Sequence, residues 1–243
     1  MSKFTFCDMH SHILPGMDDG SKNEEMSLNM LRKCKEQGIG MIFATPHYYP
    51  VESVQDFLVR RDRAEQRLRQ AVERSGEQLP QILLGAEVAY RPGIGYEKEL
   101  DKLCMGNSEY LLLELPFAPW GKEVIRDIRN MVCTRGITPI LAHLERYLSF
   151  QKKQMLYDVL DQGVLVQMNA EALLHWRSRG KARKMLTQGV VHIMGSDCHD
   201  LADRAPNLGK AIEQLEKTKG MLPVLDRISY ISTDIFQQAQ NLQ

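Results

Sequence analysis

The segment Phe4-Thr5-Phe6-Cys7-Asp8-Met9-His10-Ser11-His12 is the strongest indication of fold in this sequence. An apolar run of strand length, Phe4–Asp8, leads directly into two histidines that are separated by one residue. Alternate residues of an extended segment point to the same side, so His10 and His12 are close enough to share one cation. The segment therefore predicts a buried strand that delivers metal-ligating side chains at its end.

Short apolar runs like this one recur along the chain and alternate with amphipathic segments. The predicted strands are Phe4–Asp8, Met41–Thr45, Ile82–Ala86, Tyr110–Leu115, Thr138–Ala142, Val164–Asn169 and Val190–Ser196. The predicted helices are Glu24–Gln37, Val54–Ser75, Glu97–Cys104, Lys122–Arg135, Lys152–Gln162 and Ala182–Gln188. Strand and helix in alternation predict an α/β fold with a parallel sheet.

Seven near-continuous apolar strands fit a closed or nearly closed barrel, although an open doubly wound sheet gives the same alternation. No GxGxxG or GxxxxGK[ST] pattern follows the first strand, which argues against the nucleotide-binding open sheets. A length of 243 residues suits one large domain, so we expect a single domain over residues 1–243.

Charge and cysteine content narrow the class of protein. Lys plus Arg (31) equals Asp plus Glu (31), so no overall basic field attracts nucleic acid or an anionic membrane. No apolar stretch approaches the length needed to insert in a membrane. The five cysteines are scattered and include no CxxC pair, which indicates reduced thiols. We therefore expect a cytoplasmic protein.

Side chains that bind metals follow the ends of six of the seven predicted strands. They are His10, His12, His47, Glu87, Glu114, His143, Asp197 and His199. Because the carboxyl ends of barrel strands meet at one face, we expect these side chains to converge. Asp19, in the loop Asp18-Asp19-Gly20, raises the set to five histidines and four carboxylates, which is too many for one ion.

Two or three divalent ions suit such a set, and imidazole with carboxylate but no thiolate favours Mn²⁺, Fe²⁺ or Zn²⁺. Three dications carry +6 against −4 from the four carboxylates. The resulting charge of +2 would attract a phosphate dianion.

The motifs around these residues resemble those of PHP (polymerase and histidinol phosphatase) domains over nearly the whole chain. The segments that carry the resemblance are Asp8–Gly20, Ala44–Tyr48, Gly85–Glu87, His143–Tyr147 and Ser196–His199. They are most similar to the bacterial manganese-dependent protein-tyrosine phosphatases, which act on the tyrosine kinases that control capsule and exopolysaccharide synthesis. The resemblance implies a PHP-type distorted (β/α)7 barrel, with its metal cluster at the carboxyl ends of the strands.

The resemblance also implies a division of the ligands among three ions, with Glu87 as the bridge between the first two. The sets are His10, His12, Glu87 and Asp197 for the first ion, Glu87, Glu114 and His143 for the second, and Asp19, His47 and His199 for the third. Asp19 and Glu114 stand where other PHP domains carry histidine, which agrees with the tyrosine-phosphatase branch.

The expected reaction is hydrolysis of phosphotyrosine on a protein by a metal-bridging hydroxide. Arg146 and Arg204 follow predicted ligands by a few residues and suit phosphate oxygens, so the expected catalytic set is Arg146, Arg204 and Glu114. No side chain is singled out as general acid. Cys198 and Arg204 form a Cys-x5-Arg pattern, but the bulky, acidic residues between them argue against thiol chemistry.

The expected partner is a phosphotyrosyl protein, namely a membrane-associated bacterial tyrosine kinase with a tyrosine-rich tail. The segment Met17–Met30 is compatible with self-association into a homo-oligomer, and its amphipathic pattern equally suits packing within the chain. Two alternative functions stay open at this point. One is a phosphatase of a small phosphomonoester such as histidinol phosphate, and the other is a non-catalytic scaffold in which metals stabilise a kinase-binding barrel.

Overall fold

Nine short strands form the sheet of this protein within residues 5–241, the part of the chain that the computed structural model describes. They are β1 (Cys7–Asp8), β2 (Met41–Ala44), β3 (His47–Tyr48), β4 (Gln81–Leu84), β5 (Glu87–Ala89), β6 (Tyr110–Glu114), β7 (Thr138–Leu141), β8 (Leu165–Asn169) and β9 (Ile193–Gly195). The predicted first strand starts at Phe4, which lies outside the described residues. All neighbouring strands pair in parallel, in the orders β1-β2-β4 and β3-β5-β6-β7-β8-β9.

The second and third predicted strands correspond to β2 and β4, and each is followed, after a short break, by a further strand beyond the predicted bounds, β3 and β5. Pro46 separates β2 from β3, and it cannot donate a ladder hydrogen bond. Pairing nevertheless continues across the break, because Gly85 N donates to Ala44 O (2.9 Å) and Glu87 N donates to Pro46 O (3.0 Å). The chain thus passes from β2 to β3 and from β4 to β5 without leaving the sheet, and these two passages join the three-stranded part to the six-stranded part.

The segments that follow β1 and β9 approach each other at the far side of the sheet. Met9 N donates to Met194 O (3.3 Å), and Asp197 N donates to His10 O (2.8 Å). Gly195 allows this approach, since a Cβ at that position would lie 2.6 Å from His10 Cβ. The result is a mixed α/β fold with a curled parallel sheet.

Nine helices connect or cover the strands within the described part of the chain. They are α1 (Glu24–Glu36), α2 (Val54–Ser75), α3 (Lys122–Arg135), α4 (Leu144–Tyr147), α5 (Lys153–Leu160), α6 (Glu171–Leu174), α7 (Arg179–Thr187), α8 (Leu208–Glu216) and α9 (Leu222–Asn241). The predicted helix Glu97–Cys104 is wrong, because the chain there forms only a 3₁₀ turn over Leu100–Leu103, after another over Ile94–Tyr96. Gly95 packs so closely on Asp127 of α3 that a Cβ would lie 2.4 Å from the Asp127 carbonyl oxygen.

Both faces of the sheet are buried, which explains the continuous apolar runs in the sequence. Side chains on the inner face, such as Cys7, Met9 and Phe43, pack with Phe236 of α9. The larger cluster lies between the outer face and the surrounding helices. In α1, Met30 and Leu31 are buried in this outer cluster, so packing within the chain accounts for the amphipathic pattern of that segment.

Among the described residues, no helix combines the length and the apolar character needed to cross a membrane.

Candidate metal centre

The nine predicted metal ligands lie together at the carboxyl end of the sheet. His10 and His12 follow β1, Glu114 ends β6, His143 follows β7, and Asp197 and His199 follow β9. His47 and Glu87 instead begin the second halves of two divided strands, β3 and β5. The breaks after β2 and β4 thus place these two side chains at the same level as the strand ends.

A buried group of four residues forms the deepest part of the site. Glu87 Oε2 lies 3.1 Å from His10 Nε2 and 3.2 Å from His12 Nε2. Asp197 Oδ1 lies 3.5 Å from both of these nitrogens. The ligand atoms of the four residues all lie within 4.8 Å of one another, as a single cation requires. We call His10, His12, Glu87 and Asp197 the buried group.

The second oxygen of Glu87 faces a different set of neighbours. His143 Nε2 lies 3.0 Å from Glu87 Oε1 and 3.3 Å from Glu114 Oε1. The first oxygen, Oε2, also lies 3.1 Å from His47 Nδ1. His47, Glu87 and Glu114 each bring a ligand atom within 4.8 Å of the other two. Glu87 therefore lies between two clusters of ligand atoms, where a bridging carboxylate would have to be.

A third cluster reaches the surface through Asp19. His199 Nε2 and His47 Nε2 lie 3.3 and 3.6 Å from Asp19 Oδ1. Asp19 is 65% exposed, in contrast to the buried group. We call Asp19, His47 and His199 the surface group. His12 brings a ligand atom within the same 4.8 Å limit, so the two groups are contiguous.

Both predicted arginines reach the cluster through Asp197. Arg146 Nη2 lies 2.7 Å from Asp197 Oδ2, and Arg204 Nη2 lies 2.8 Å from Asp197 Oδ1. Arg204 Nη1 also lies 3.7 Å from Asp19 Oδ2. Both guanidinium groups are partly exposed, so they can meet an anion that approaches from solvent.

Asp18, the neighbour of the predicted ligand Asp19 and not itself predicted as a functional residue, holds two histidines in place. Asp18 Oδ2 pairs with His12 Nδ1 (2.7 Å) and accepts from His47 N (2.9 Å), while its Oδ1 accepts from Gly20 N (2.9 Å). Because Nδ1 of His12 is engaged, Nε2 is left facing the cluster. Asp19 contacts the side chains of His47 and His199, so the two adjacent aspartates have different roles that their sequence positions do not reveal.

Gln167 and Asn169 of β8 form a second support that sequence reasoning missed. Gln167 Oε1 accepts from His143 N (2.6 Å) and lies 3.4 Å from His10 Nδ1. Asn169 Nδ2 donates to Asp197 Oδ2 (2.8 Å). The two-residue spacing at the end of a predicted strand could have indicated them, because both side chains point to the same face as the ligands.

Backbone conformation is unusual at two of the predicted ligands. His143 and Asp197 have φ angles of +34° and +53°, and they are the only non-glycine residues with positive φ in the described chain. Such conformations are costly and persist where surrounding structure enforces them, often at functional sites. Both residues lie where the chain turns sharply out of the sheet, which aims their side chains at the cluster.

The carboxylates and imidazoles of the site shift the pKa values of the histidines in opposite directions. Burial opposes protonation of His143, but hydrogen bonds with Glu114 and Glu87 outweigh it and raise its pKa to about 9. Burial disfavours the charged form of Glu87, yet the neighbouring His10 holds its pKa well below the usual range. At His199, burial and the nearby His12 lower the pKa to about 4. The pKa of His199 falls while that of His143 rises, so the surface group offers a neutral imidazole.

The donor atoms of the site fit divalent cations. Among the described residues, Glu87 Oε2, His47 Nδ1 and His199 Nε2 are buried atoms that make no hydrogen bond of normal geometry, although ligand atoms of opposite charge type lie 3.1–3.3 Å away. A buried polar atom that lacks a hydrogen bond costs about 1–3 kcal/mol, so a native site of this kind calls for a ligand. These atoms are imidazole nitrogens and a carboxylate oxygen that lie close together, which is the chemistry of a metal site.

Cys198 does not have the surroundings of a reactive thiol. Its side chain is fully buried within the outer core cluster. Burial, reinforced by the nearby Asp8, raises the pKa of the Cys198 thiol far above its usual range. A catalytic cysteine needs the opposite shift and an accessible sulfur. The arrangement argues against the Cys-x5-Arg interpretation of this segment.

Fold and site together define a class of protein, the α/β proteins that gather histidine and carboxylate ligands at the carboxyl end of a curled parallel sheet. The chain belongs to the CpsB/CapC family of capsular polysaccharide synthesis, whose model matches residues 6–233.

Two curated relatives and one solved structure illustrate the similarity. The tyrosine-protein phosphatase CpsB of Streptococcus agalactiae serotype III (strain NEM316) is 30% identical over 216 residues, which are 84% of this chain and 87% of that protein. The tyrosine-protein phosphatase YwqE of Bacillus subtilis (strain 168) is 27% identical over 224 residues, with 88% and 85% covered.

The solved structure comes from work on YwqE of Bacillus subtilis and CpsB of Streptococcus pneumoniae, described as unique metal-dependent tyrosine phosphatases. It superposes with a TM-score of 0.79 at 23% identity and covers 96% of this chain and 95% of its own. At this level of identity, the superposition supports the fold.

Proposed function

We propose that this protein is a metal-dependent phosphatase that hydrolyses phosphotyrosine on a protein. The observation that carries the proposal is the convergence of five histidines and four carboxylates at one rim, with Arg146 and Arg204 beside them. The relatives named tyrosine-protein phosphatase support the same activity. Their family's description supports a place in capsule or exopolysaccharide synthesis.

The predicted division of ligands is retained in this proposal. The buried group would hold one ion, Glu87 with Glu114 and His143 a second, and the surface group a third. When bound, such ions activate water near neutral pH and stabilise the negative charge that develops at phosphorus. We propose Mn²⁺ in the cell, with Fe²⁺ and Zn²⁺ as the alternatives that the ligand types also accept.

The chain's own groups bind and orient the phosphoryl group. Arg146 and Arg204 both approach Asp197, and their forked donors match a pair of phosphate oxygens. Gln167 Oε1 accepts from His143 N and so helps to hold His143 with its Nε2 atom toward Glu87 and Glu114. A phenolate leaving group has a pKa of about 10, so its departure depends less on a side-chain acid than that of an alkoxide. Phosphotyrosine therefore suits a site with no obvious general acid.

The finer structural and cellular predictions belong to the same proposal. The hydrogen bonds between the segments after β1 and β9 support a distorted (β/α)7 barrel of the PHP type, formed by a single domain over residues 1–243. The free cysteines support a cytoplasmic location. The substrate would be the tyrosine-rich tail of a membrane-associated tyrosine kinase. Self-association stays a prediction, and light scattering of the purified protein would test it.

Metal analysis combined with activity tests the proposal. Protein purified without chelator is assayed for bound metals, then stripped and reloaded separately with Mn²⁺, Fe²⁺, Zn²⁺ or Mg²⁺. We expect two or three ions per chain and hydrolysis of a phosphotyrosyl peptide from a kinase tail. Faster hydrolysis of histidinol phosphate would favour the small-molecule phosphatase. Reloaded protein that hydrolyses no phosphomonoester would favour the scaffold.

A further inference from the structure

Two partly exposed aromatic rings lie at the rim of the candidate metal centre. Tyr49 is 49% exposed and Phe117 is 44% exposed. Each ring stacks on a different predicted ligand: Tyr49 lies 5.2 Å from the ring of His47, and Phe117 lies 5.6 Å from the ring of His143. The planes within each pair differ by 27° and 26°. Both rings are thus fixed against the cluster while much of their surface stays open to solvent.

The backbone accounts for both positions. His47 and Tyr49 are two residues apart at β3, so their side chains project to the same side. Phe117 follows β6 and stacks on Tyr147, with 5.5 Å between centroids. The buried Tyr147 is itself anchored, because its hydroxyl accepts from Leu115 N (2.9 Å). The segments that follow two ligand-bearing strands, β3 and β6, therefore carry the rings.

The two rings follow strands that lie on either side of the strand that begins with Glu87. β3 and β6 both pair with β5. Tyr49 comes directly after β3 and Phe117 comes three residues after β6. The chain therefore delivers one ring from each side of Glu87.

We propose that Tyr49 and Phe117 form the two sides of a slot that receives the phenyl ring of phosphotyrosine and excludes aliphatic phosphomonoesters as good substrates. This inference rests on the proposed function, because it assumes that the phosphoryl group lies beside Arg146 and Arg204. Phosphoserine has no ring to fill the slot, so its phosphate reaches the cluster without the stacking energy. The two rings would then determine substrate specificity without taking part in the chemical step.

Binding of two inert phosphonates to the metal-loaded protein tests the slot. Phenylphosphonate carries a ring and propylphosphonate does not, and titration calorimetry measures both dissociation constants. We expect the wild-type protein to bind phenylphosphonate at least about tenfold more tightly. Tyr49→Ala and Phe117→Ala should each reduce this preference by about three- to tenfold, and the double variant should nearly abolish it. Tyr49→Phe and Phe117→Tyr should retain it.

Trp176→Ala is the matched control, because Trp176 is 68% exposed and stacks on His175, a histidine outside the ligand set. It should leave the preference unchanged. Wild-type protein that binds both phosphonates equally, or neither, would overturn the slot. So would alanine variants that lose bound metal, since the rings would then support the ligands. Failure of the proposed function is distinct: it is the absence of phosphotyrosyl peptide hydrolysis by the wild-type protein with every metal.

Discussion

The buried group and the surface group use the same side-chain chemistry in different settings. In the buried group, His12 is held by Asp18, His10 is near Gln167, and Asp197 receives hydrogen bonds from Asn169. In the surface group, Asp19 is largely exposed, and its closest contacts are ion pairs of 3.3–3.7 Å with His199, His47 and Arg204. Side chains held by neighbours are ready to bind before a ligand arrives. Within the surface group, the exposed Asp19 has no such hydrogen-bonded support among the described contacts, so we expect it to be the ligand that adjusts most easily.

Removal of the Glu87 charge should have the largest effect, because this carboxylate contacts histidines of both groups. We expect Glu87→Gln to lower kcat/KM by at least about a thousandfold, since an amide cannot bridge two cations as a carboxylate does. Metal content should fall by at least one ion per chain. Glu213→Gln is the control. Glu213 lies on an exposed face of α8, and the described contacts of its side chain are with Lys217 alone. An active Glu87→Gln enzyme with full metal content would contradict a shared bridge.

Asp18 should contribute to metal affinity although it lies outside the predicted ligand set. Asp18→Asn leaves every predicted ligand in place but weakens the hold on His12 and on the backbone of His47. Such supports typically contribute about 10- to 100-fold in metal affinity or activity. We expect a loss in that range, measured as metal dissociation constants by competition with a chelator. A change below about threefold would show that the buried group does not depend on its support.

Asp19→Asn should have a smaller effect, of about tenfold in affinity for the most weakly bound ion. Asparagine keeps an oxygen that can still bind a cation, and the exposed side chain loses little else. Asp62→Asn is the matched control, because Asp62 is equally exposed and pairs with Arg61 instead. If Asp19→Asn lowered metal affinity more than Asp18→Asn, the surface group would be more sensitive to substitution than the buried group, contrary to this expectation.

Sequence was sufficient for the parts of the site that follow strand ends. Apolar runs locate the strands, and parallel strands end at one edge, so His143 or Glu114 could be placed near His10 without coordinates. The motifs of residues 8–20 and 196–199 carried the family prediction, which the family match confirms. The roles of individual ligands stay predictions.

Helices α8 and α9 were not predicted, although apolar residues such as Leu208, Ala211 and Leu215 have the spacing of a helix, so the local sequence does indicate α8. Sequence was not sufficient where tertiary packing decides. The supports Asp18, Gln167 and Asn169 act through contacts across the sheet, and local sequence does not encode these. Tyr49 and Phe117 likewise look like ordinary loop aromatics until their stacking partners are known.

Substitution of Cys198 should have the smallest effect on activity. This residue lies in sequence between one member of each group, Asp197 and His199. Its carbonyl accepts from His12 N (2.9 Å), whereas its side chain is buried in the outer core cluster. We expect Cys198→Ser to change kcat/KM by less than about threefold and to lower the free energy of unfolding by about 1–3 kcal/mol, because a hydroxyl is buried. The exposed Cys133, changed to Ser, should alter neither. Lost activity with intact metal content would mean that the thiol reacts, and neither group of ligands would then be the catalytic centre.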